Sequence, residues 1–297
     1  MSEQEIEQRM DQAAGLRRMS NPKPVKVIAV ASGKGGVGKS SVSVNLAVAL
    51  STAGNRVLLM DADLGLANVD VLLGLSPRYN LAHVMDGEAE LEEILVEGPG
   101  GIQIIPASSG TKRMAELGPA ENTGLIRSFS ELSGDWDYLI IDTAAGIADS
   151  VISFARAARE VMVVVCDEPS SITDAYALIK VLHRDYGVER VHVVANMVSG
   201  AAEGKTLYDK LARVCERYLD LTVAYMGAIP RDDAMRKAVQ RQQAVVNAYP
   251  GSPSGRAYAE MAKRVDKLPL PTRAEGHLEF FVERLVQYNA SGGEVMP

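Results

Sequence analysis

Sulfur and large aromatic side chains are scarce in this sequence, with two cysteines, one tryptophan and four phenylalanines in 297 residues. Cys166 lies in an apolar run and Cys215 in a helical one, a spacing that matches neither a metal knuckle nor a disulfide framework. A reducing cytoplasm is the compartment that fits. No run of about 18 apolar residues occurs, and "MSEQEIEQRMDQ" at the start is polar where a signal peptide would be apolar, so the expectation is a chain that does not span a membrane. Positive charge is short as well. Lys and Arg number 31 against 38 Asp and Glu, a net charge of −7 that argues against a surface built for nucleic acid.

Hydrophobic residues make up 47% of the chain, enough to fill the core of one large domain. They fall in seven short runs: Val25 to Ala31, Arg56 to Ala62, Ile102 to Ala107, Tyr138 to Ala144, Val161 to Asp167, Val191 to Met197, and Val223 to Pro230. Runs of this length, rich in β-branched residues, read as strands buried on both faces. Helical patterns separate them. The clearest is "SSVSVNLAVALSTAG", in which Val42, Leu46, Ala49 and Leu50 recur at helical spacing and Gly54 follows as a cap. Alternating strands and helices predict an α/β fold: a doubly wound, mostly parallel β-sheet flanked by helices.

Between the first run and that helix stands "GKGGVGKS", which satisfies G-x-x-x-x-G-K-[ST] in the strand–loop–helix setting that phosphate binding requires. Gly33, Gly35, Gly36 and Gly38, with Val37, let the loop turn its backbone N–H groups toward phosphate oxygens; Lys39, Ser40 and Ser41 open the helix, whose positive end faces the same way. Lys39 would reach the β- and γ-phosphates and the Ser40 hydroxyl would bind Mg²⁺. Asp142, in "YLIIDTAAG", ends an apolar strand where a carboxylate can hold the metal's water, and Asp61 and Asp63, in "LLMDADLG", end another where they can orient metal-bound and attacking water. The guanine signature N-K-x-D has no counterpart in "ANMVSG", which favours adenine and hence ATP.

These residues carry a resemblance. "GKGGVGKS" is similar to the deviant Walker A motif of the MinD/ParA group of dimeric P-loop ATPases, "DADLG" to its switch I and "DTAAG" to its switch II, over about residues 25–267. The resemblance implies that Lys34 crosses a dimer interface to the partner's nucleotide while Lys39 serves its own, and that Asn196, Pro230 and Asp232 frame the adenine. Within the group the chain resembles the flagellar-number regulators of the FlhG (FleN) family, through "DQAAGLRRM", "DLGLANVDVLLGL", "CDEPSSITDAYALIK" and "GHLEFFVERLVQY". That likeness implies a weak ATPase that forms an ATP-dependent homodimer. It further implies action on the flagellar GTPase FlhF, through an arm at residues 1–20 bearing Asp11, Gln12, Leu16 and Arg17, and on a flagellar transcription regulator. A location at the cell pole or on the inner membrane would follow. A DNA-partition ATPase, a MinD-like division-site regulator and an iron–sulfur carrier are the competing readings.

Residues 272–290 read as an amphipathic helix with Leu278, Phe281, Val282 and Leu285 along one stripe. The family's helix there is a membrane-targeting element, yet Glu275, Glu279 and Glu283 outnumber Arg284, and anionic lipid would repel them. Packing on the protein's own core is therefore the expectation, with nucleotide-released membrane contact as the alternative.

Overall fold

The structure, a computed structural model, describes residues 24–108, 114, 117–129, 132–271 and 279–281. The arm residues Asp11, Gln12, Leu16 and Arg17 lie outside that range, as does most of the expected C-terminal helix.

In chain order the elements are β1 (Lys26–Ser32), α1 (Lys39–Thr52), β2 (Val57–Ala62), α2 (Val69–Leu73), α3 (Leu81–Met85), β3 (Val96–Glu97), a 3-10 turn (Pro99–Gly101) and β4 (Gln103–Ile105). Next come α4 (Pro119–Ser128), β5 (Tyr138–Ala145), α5 (Asp149–Ala157), β6 (Glu160–Val165), α6 (Pro169–Tyr186) and β7 (Val191–Val198). The series ends with α7 (Ala201–Leu219), β8 (Ala224–Pro230), α8 (Asp233–Gln240), α9 (Val245–Ala248) and α10 (Pro253–Asp266).

One eight-stranded sheet runs in the order β3-β4-β2-β5-β1-β6-β7-β8, and all seven expected strands are in it. Every pairing is parallel except β3 with β4, a two-residue edge strand too short to leave a periodic signal. From β1 the chain winds outward to β2, β4 and β3, returns to place β5 beside β1, and then winds the other way through β6, β7 and β8. The loop after β1 therefore sits near the middle of the sheet's C-terminal edge, where doubly wound folds open a crevice for ligands.

Successive residues of a strand point to opposite faces, so the sheet builds two cores. Val27, Ala29, Leu58 and Met60 face α4, α5, α6 and α7, while Ile28, Val30, Val57 and Leu59 face α1, α9 and α10. Helix α1 is buried more completely than the spacing of Val42, Leu46, Ala49 and Leu50 alone implies. Every residue from Val42 to Leu50 is buried, because α10 covers the side that the sheet leaves open. Its polar members stay satisfied: Asn45 donates to the Ser41 carbonyl at 2.8 Å and accepts from the Val246 N–H at 3.2 Å. Gly54 follows the helix with a φ of +96°, as its capping role requires.

Of residues 272–290, Glu279 to Phe281 are described, and Phe280 and Phe281 form part of a turn. Both phenylalanines are buried in the helical core, with Phe129 edge-on to Phe280 at 4.9 Å and Phe154 stacked on it at 6.4 Å. Burying a phenylalanine contributes about 2 kcal/mol, so in this state Phe280 and Phe281 belong to the core and not to a lipid surface. No helix among the described residues is long and apolar enough to cross a membrane.

Candidate functional site

Two joined cavities open at the C-terminal edge of the sheet. The first, of about 600 Å³, is walled by the loop from Lys34 to Ser41 on one side, by Asp63, Leu66, Asn68 and Leu72 on another, and by Ala144 and Ala145. The loop has the shape that its glycines permit. Gly38 adopts φ +85°, and a Cβ there would stand 2.4 Å from Asn196 Nδ2; a Cβ on Gly33 would meet the Asp174 carbonyl oxygen at 2.1 Å.

Behind the loop lies a buried polar cluster. Asp142 is fully buried; its Oδ1 accepts a hydrogen bond from Ser43 Oγ at 2.9 Å and lies 3.5 Å from Lys39 Nζ, while its Oδ2 makes no hydrogen bond. Burial pushes the Asp142 carboxyl up against the opposing pull of Lys39 and of the Ser40 and Ser43 hydroxyls. On the neighbouring strand Asp61 stands in register with Asp142 and is buried too. Its Oδ1 accepts from the Asp63 N–H at 3.0 Å, and its Oδ2 from the N–H groups of Asn68 at 2.8 Å and Val69 at 3.0 Å. Burial and the Asp142 charge push Asp61 up to about 7 despite those three donors.

Two buried carboxylates side by side, one with a bare oxygen, leave this cluster short of positive charge. Mg²⁺ fits that deficit. The donors are all hard oxygens, and among the described residues no group of three or more His, Cys, Asp or Glu side chains could hold a metal by itself, so an ion here would share its coordination with phosphate and water. Asp61 has both oxygens engaged by backbone. These bonds tie it to the loop that carries Asp63, whose own Oδ1 accepts from Leu66 N–H at 3.3 Å.

Lys34 is placed apart from Lys39. Its Nζ donates to Glu168 Oε2 and to Ser170 Oγ, both at 2.9 Å, at the start of α6. The bond to Glu168 raises its pKa and keeps it cationic. Both partners lie more than 130 residues away in the chain, so spacing gave no sign of them.

The second cavity, of about 330 Å³, starts at Gly38 and Ser41 and continues between Asn196, Met197, Ile229, Pro230, Met235, Val239 and Tyr258. Asn196 donates its Nδ2 to the Val37 carbonyl at 2.7 Å, which leaves its Oδ1 as an acceptor beside the loop. Asp232 also lines the cavity: its Oδ1 caps α8 through Ala234 N–H at 2.9 Å, and its Oδ2 accepts from Ser254 N–H at 3.0 Å and Oγ at 2.7 Å. Burial pushes Asp232 up, but the Ser254 and Ala234 hydrogen bonds outweigh it and hold the carboxyl below its usual range. Met197, Met235, Val239 and Tyr258 were not legible as site residues; they come together from β7, α8 and α10. Ser43 carried a signal, since it lies one helical turn after Lys39.

Known proteins match this geometry. The model of the family described as "ParA: NUBPL iron-transfer P-loop NTPase" matches residues 23–266. The antiactivator FleN of Pseudomonas aeruginosa is 56% identical over 94% of this chain and 100% of its own length. The flagellum site-determining protein YlxH of Helicobacter pylori is 33% identical over 92% of this chain and 96% of its own. Among solved structures, the septum site-determining protein MinD from Pyrococcus horikoshii OT3, complexed with Mg-ADP, superposes with a TM-score of 0.68 at 25% identity, covering 82% of this chain and 97% of that one. The chain belongs to the ParA family of P-loop NTPases, on the branch that contains the antiactivator FleN.

Proposed function

We propose that this protein is an ATP-switched, Mg²⁺-dependent regulator of flagellar number and placement, with weak ATPase activity and an ATP-bound homodimer as its active form. The observation that carries the reading is the division between the two loop lysines. Lys39 lies beside its own Asp142, while Lys34, partly exposed, is held away from it by Glu168 and Ser170, which supports a separate task for it across a dimer interface. The names of the relatives FleN and YlxH, an antiactivator and a flagellum site-determining protein, support the biological half of the proposal.

In this reading the loop N–H groups and Lys39 bind the triphosphate, and Lys39 leaves the Asp142 carboxylate as it moves onto the phosphates. Ser40 and Asp142 would hold Mg²⁺, which would offset the negative charge of the phosphates. Asp63, at the cleft wall, orients the attacking water, and Asp61 fixes the loop on which Asp63 stands. Asn196 Oδ1 accepts from an exocyclic amine, which adenine has at the position where guanine carries an oxygen. Iron transfer does not suit the cysteines of this chain: Cys166 and Cys215 are buried, and burial pushes the Cys215 thiol up to about 11.

Light scattering with and without ATP tests the switch. The expected result is a doubling of mass with ATP, and in Asp63→Ala a dimer that persists because hydrolysis no longer ends it; an ATP-bound monomer at micromolar protein would refute the proposal. For the flagellar GTPase FlhF, the arm at residues 1–20 is the proposed contact, with the Gln12 amide positioning a water in the partner's site. A peptide of those residues should accelerate GTP hydrolysis by FlhF, and Gln12→Ala should remove most of the effect. An inert peptide would reduce the arm to a tether.

A further inference from the structure

Beyond Gly38 and Ser41, which both share, the base cavity is walled by α8 and the phosphate cleft by α2, and a side-chain hydrogen bond links the end of one helix to the other. Helix α8 lines the base cavity through Met235, Arg236, Val239 and Gln240. Two residues past its end, Gln242 adopts a φ of +55°, a left-handed conformation that costs a non-glycine residue roughly 1 kcal/mol. From there its Nε2 donates to the Val71 carbonyl of α2 at 3.0 Å. Its side chain also lies across Gly74: a Cβ on that glycine would sit 3.2 Å from Gln242 Cβ and Cδ and 3.0 Å from Oε1. Gly74 itself has a φ of +64°, so both sides of the contact require a left-handed backbone.

Helix α2 is only five residues long, Val69–Leu73, and its two ends are tied to different things. At its N-terminus the Asn68 and Val69 N–H groups are held by Asp61 Oδ2. Toward its C-terminus Val71 and Gly74 meet Gln242. Leu72 on the same helix, with Leu66 and Asn68 before it, lines the phosphate cleft. A helix this short moves as a unit, so a shift of α8 would be passed through the Gln242 bond to α2 and the Asp61 loop. We propose that Gln242 is a positioning residue that couples occupancy of the base cavity to the loop of Asp61 and Asp63, a reading that rests on nucleotide binding in these two cavities. The bond is exposed, which suits it to forming and breaking between states. A neutral hydrogen bond of ordinary strength corresponds to roughly a five-fold effect.

Hydrogen–deuterium exchange on the full chain tests the coupling, with saturating ADP or pyrophosphate in the presence of Mg²⁺. Pyrophosphate fills the phosphate cleft and leaves the base cavity empty. In the unmodified protein, ADP should slow exchange in peptides covering residues 61–75 about five-fold more than pyrophosphate does. Gln242→Glu keeps the length of the side chain but has no N–H to donate. Gln242→Asn keeps a residue at ease in the left-handed region but falls one methylene short of Val71. Both variants should erase the difference between the two ligands while leaving protection of the 33–41 loop unchanged. Equal slowing by ADP and pyrophosphate in the unmodified protein would overturn the proposal, as would survival of the difference in either variant. Failure of ADP to protect the 33–41 loop at all is a separate result, which would overturn nucleotide binding and the coupling with it.

Discussion

Asp142 keeps one buried oxygen without a hydrogen bond while the other serves Ser43 and Lys39. A buried charge left partly uncompensated destabilises the fold that holds it, and such costs are retained where the charge has chemistry to do. Replacing that oxygen by an amide nitrogen removes the charge and preserves the shape. Asp142→Asn should therefore abolish Mg-dependent hydrolysis, and because it leaves the buried Lys39 cation without its carboxylate it should lower the melting temperature of the nucleotide-free protein. The pH dependence follows from the same pair. Asp61 is pushed up to about 7 in the folded state from an ordinary value of 3.8, so between those values the native protein holds a proton that the unfolded chain has lost. Stability contributed by that proton is present below about pH 4 and is lost as pH rises through about 7. Asp142, raised as well, acts in the same direction. Calorimetry from pH 5 to 7.5 should show a falling melting temperature, shallower in Asp142→Asn because the charge that raises Asp61 is gone. A rising temperature would mean that the pair is compensated by a cation not counted above.

At the scale of the element, helix α1 shows where reading a sequence works and where it stops. Its start, its end and its role at the phosphate loop follow from Gly38, Lys39, Ser40 and Gly54. Its environment does not, because the helix as a whole is packed by α10, which begins some two hundred residues later, and Val48 lies against the Gly100 turn. Val48 is 0% exposed, so Val48→Ala should cost about 2 kcal/mol and lower the melting temperature by about 4–8 °C. On the solvent side of an amphipathic helix the same change would shift stability by no more than about 0.5 kcal/mol, and thermal unfolding distinguishes the two. The strands were legible for the opposite reason. Runs such as Val161 to Val165 are apolar on both faces, and a parallel sheet covered on both sides demands that pattern. The carboxylates proposed for the site were legible because each lies at or near the C-terminal end of such a strand. What the sequence pattern "DADLG" could not say is that Asp61 turns both oxygens onto backbone N–H groups, which makes it a support for Asp63; that depends on the path of the loop to Val69.

At the scale of the whole molecule, the proposal turns on whether Lys34 can leave one set of partners for another. In the single chain it is held by Glu168 and Ser170, with the lysine 39% and the glutamate 61% exposed. An exposed ion pair of this kind contributes little, whereas a lysine meeting a triphosphate across a dry interface gains charge-assisted bonds that are roughly twice as strong as neutral ones. The exchange favours the dimer once ATP is bound, and the Glu168 contact opposes it only slightly. Glu168→Gln should therefore lower the ATP concentration at which the dimer forms by up to about five-fold, without changing nucleotide affinity in the monomer. Lys34→Ala should retain monomer binding and lose the ATP-induced dimer, and Lys39→Ala should lose binding itself, since its cation lies at its own Asp142. Light scattering alongside a fluorescent-nucleotide titration reads both quantities for all three variants. Equal loss of nucleotide affinity in Lys34→Ala and Lys39→Ala would place both lysines in one subunit's site and remove the division of labour on which the switch depends.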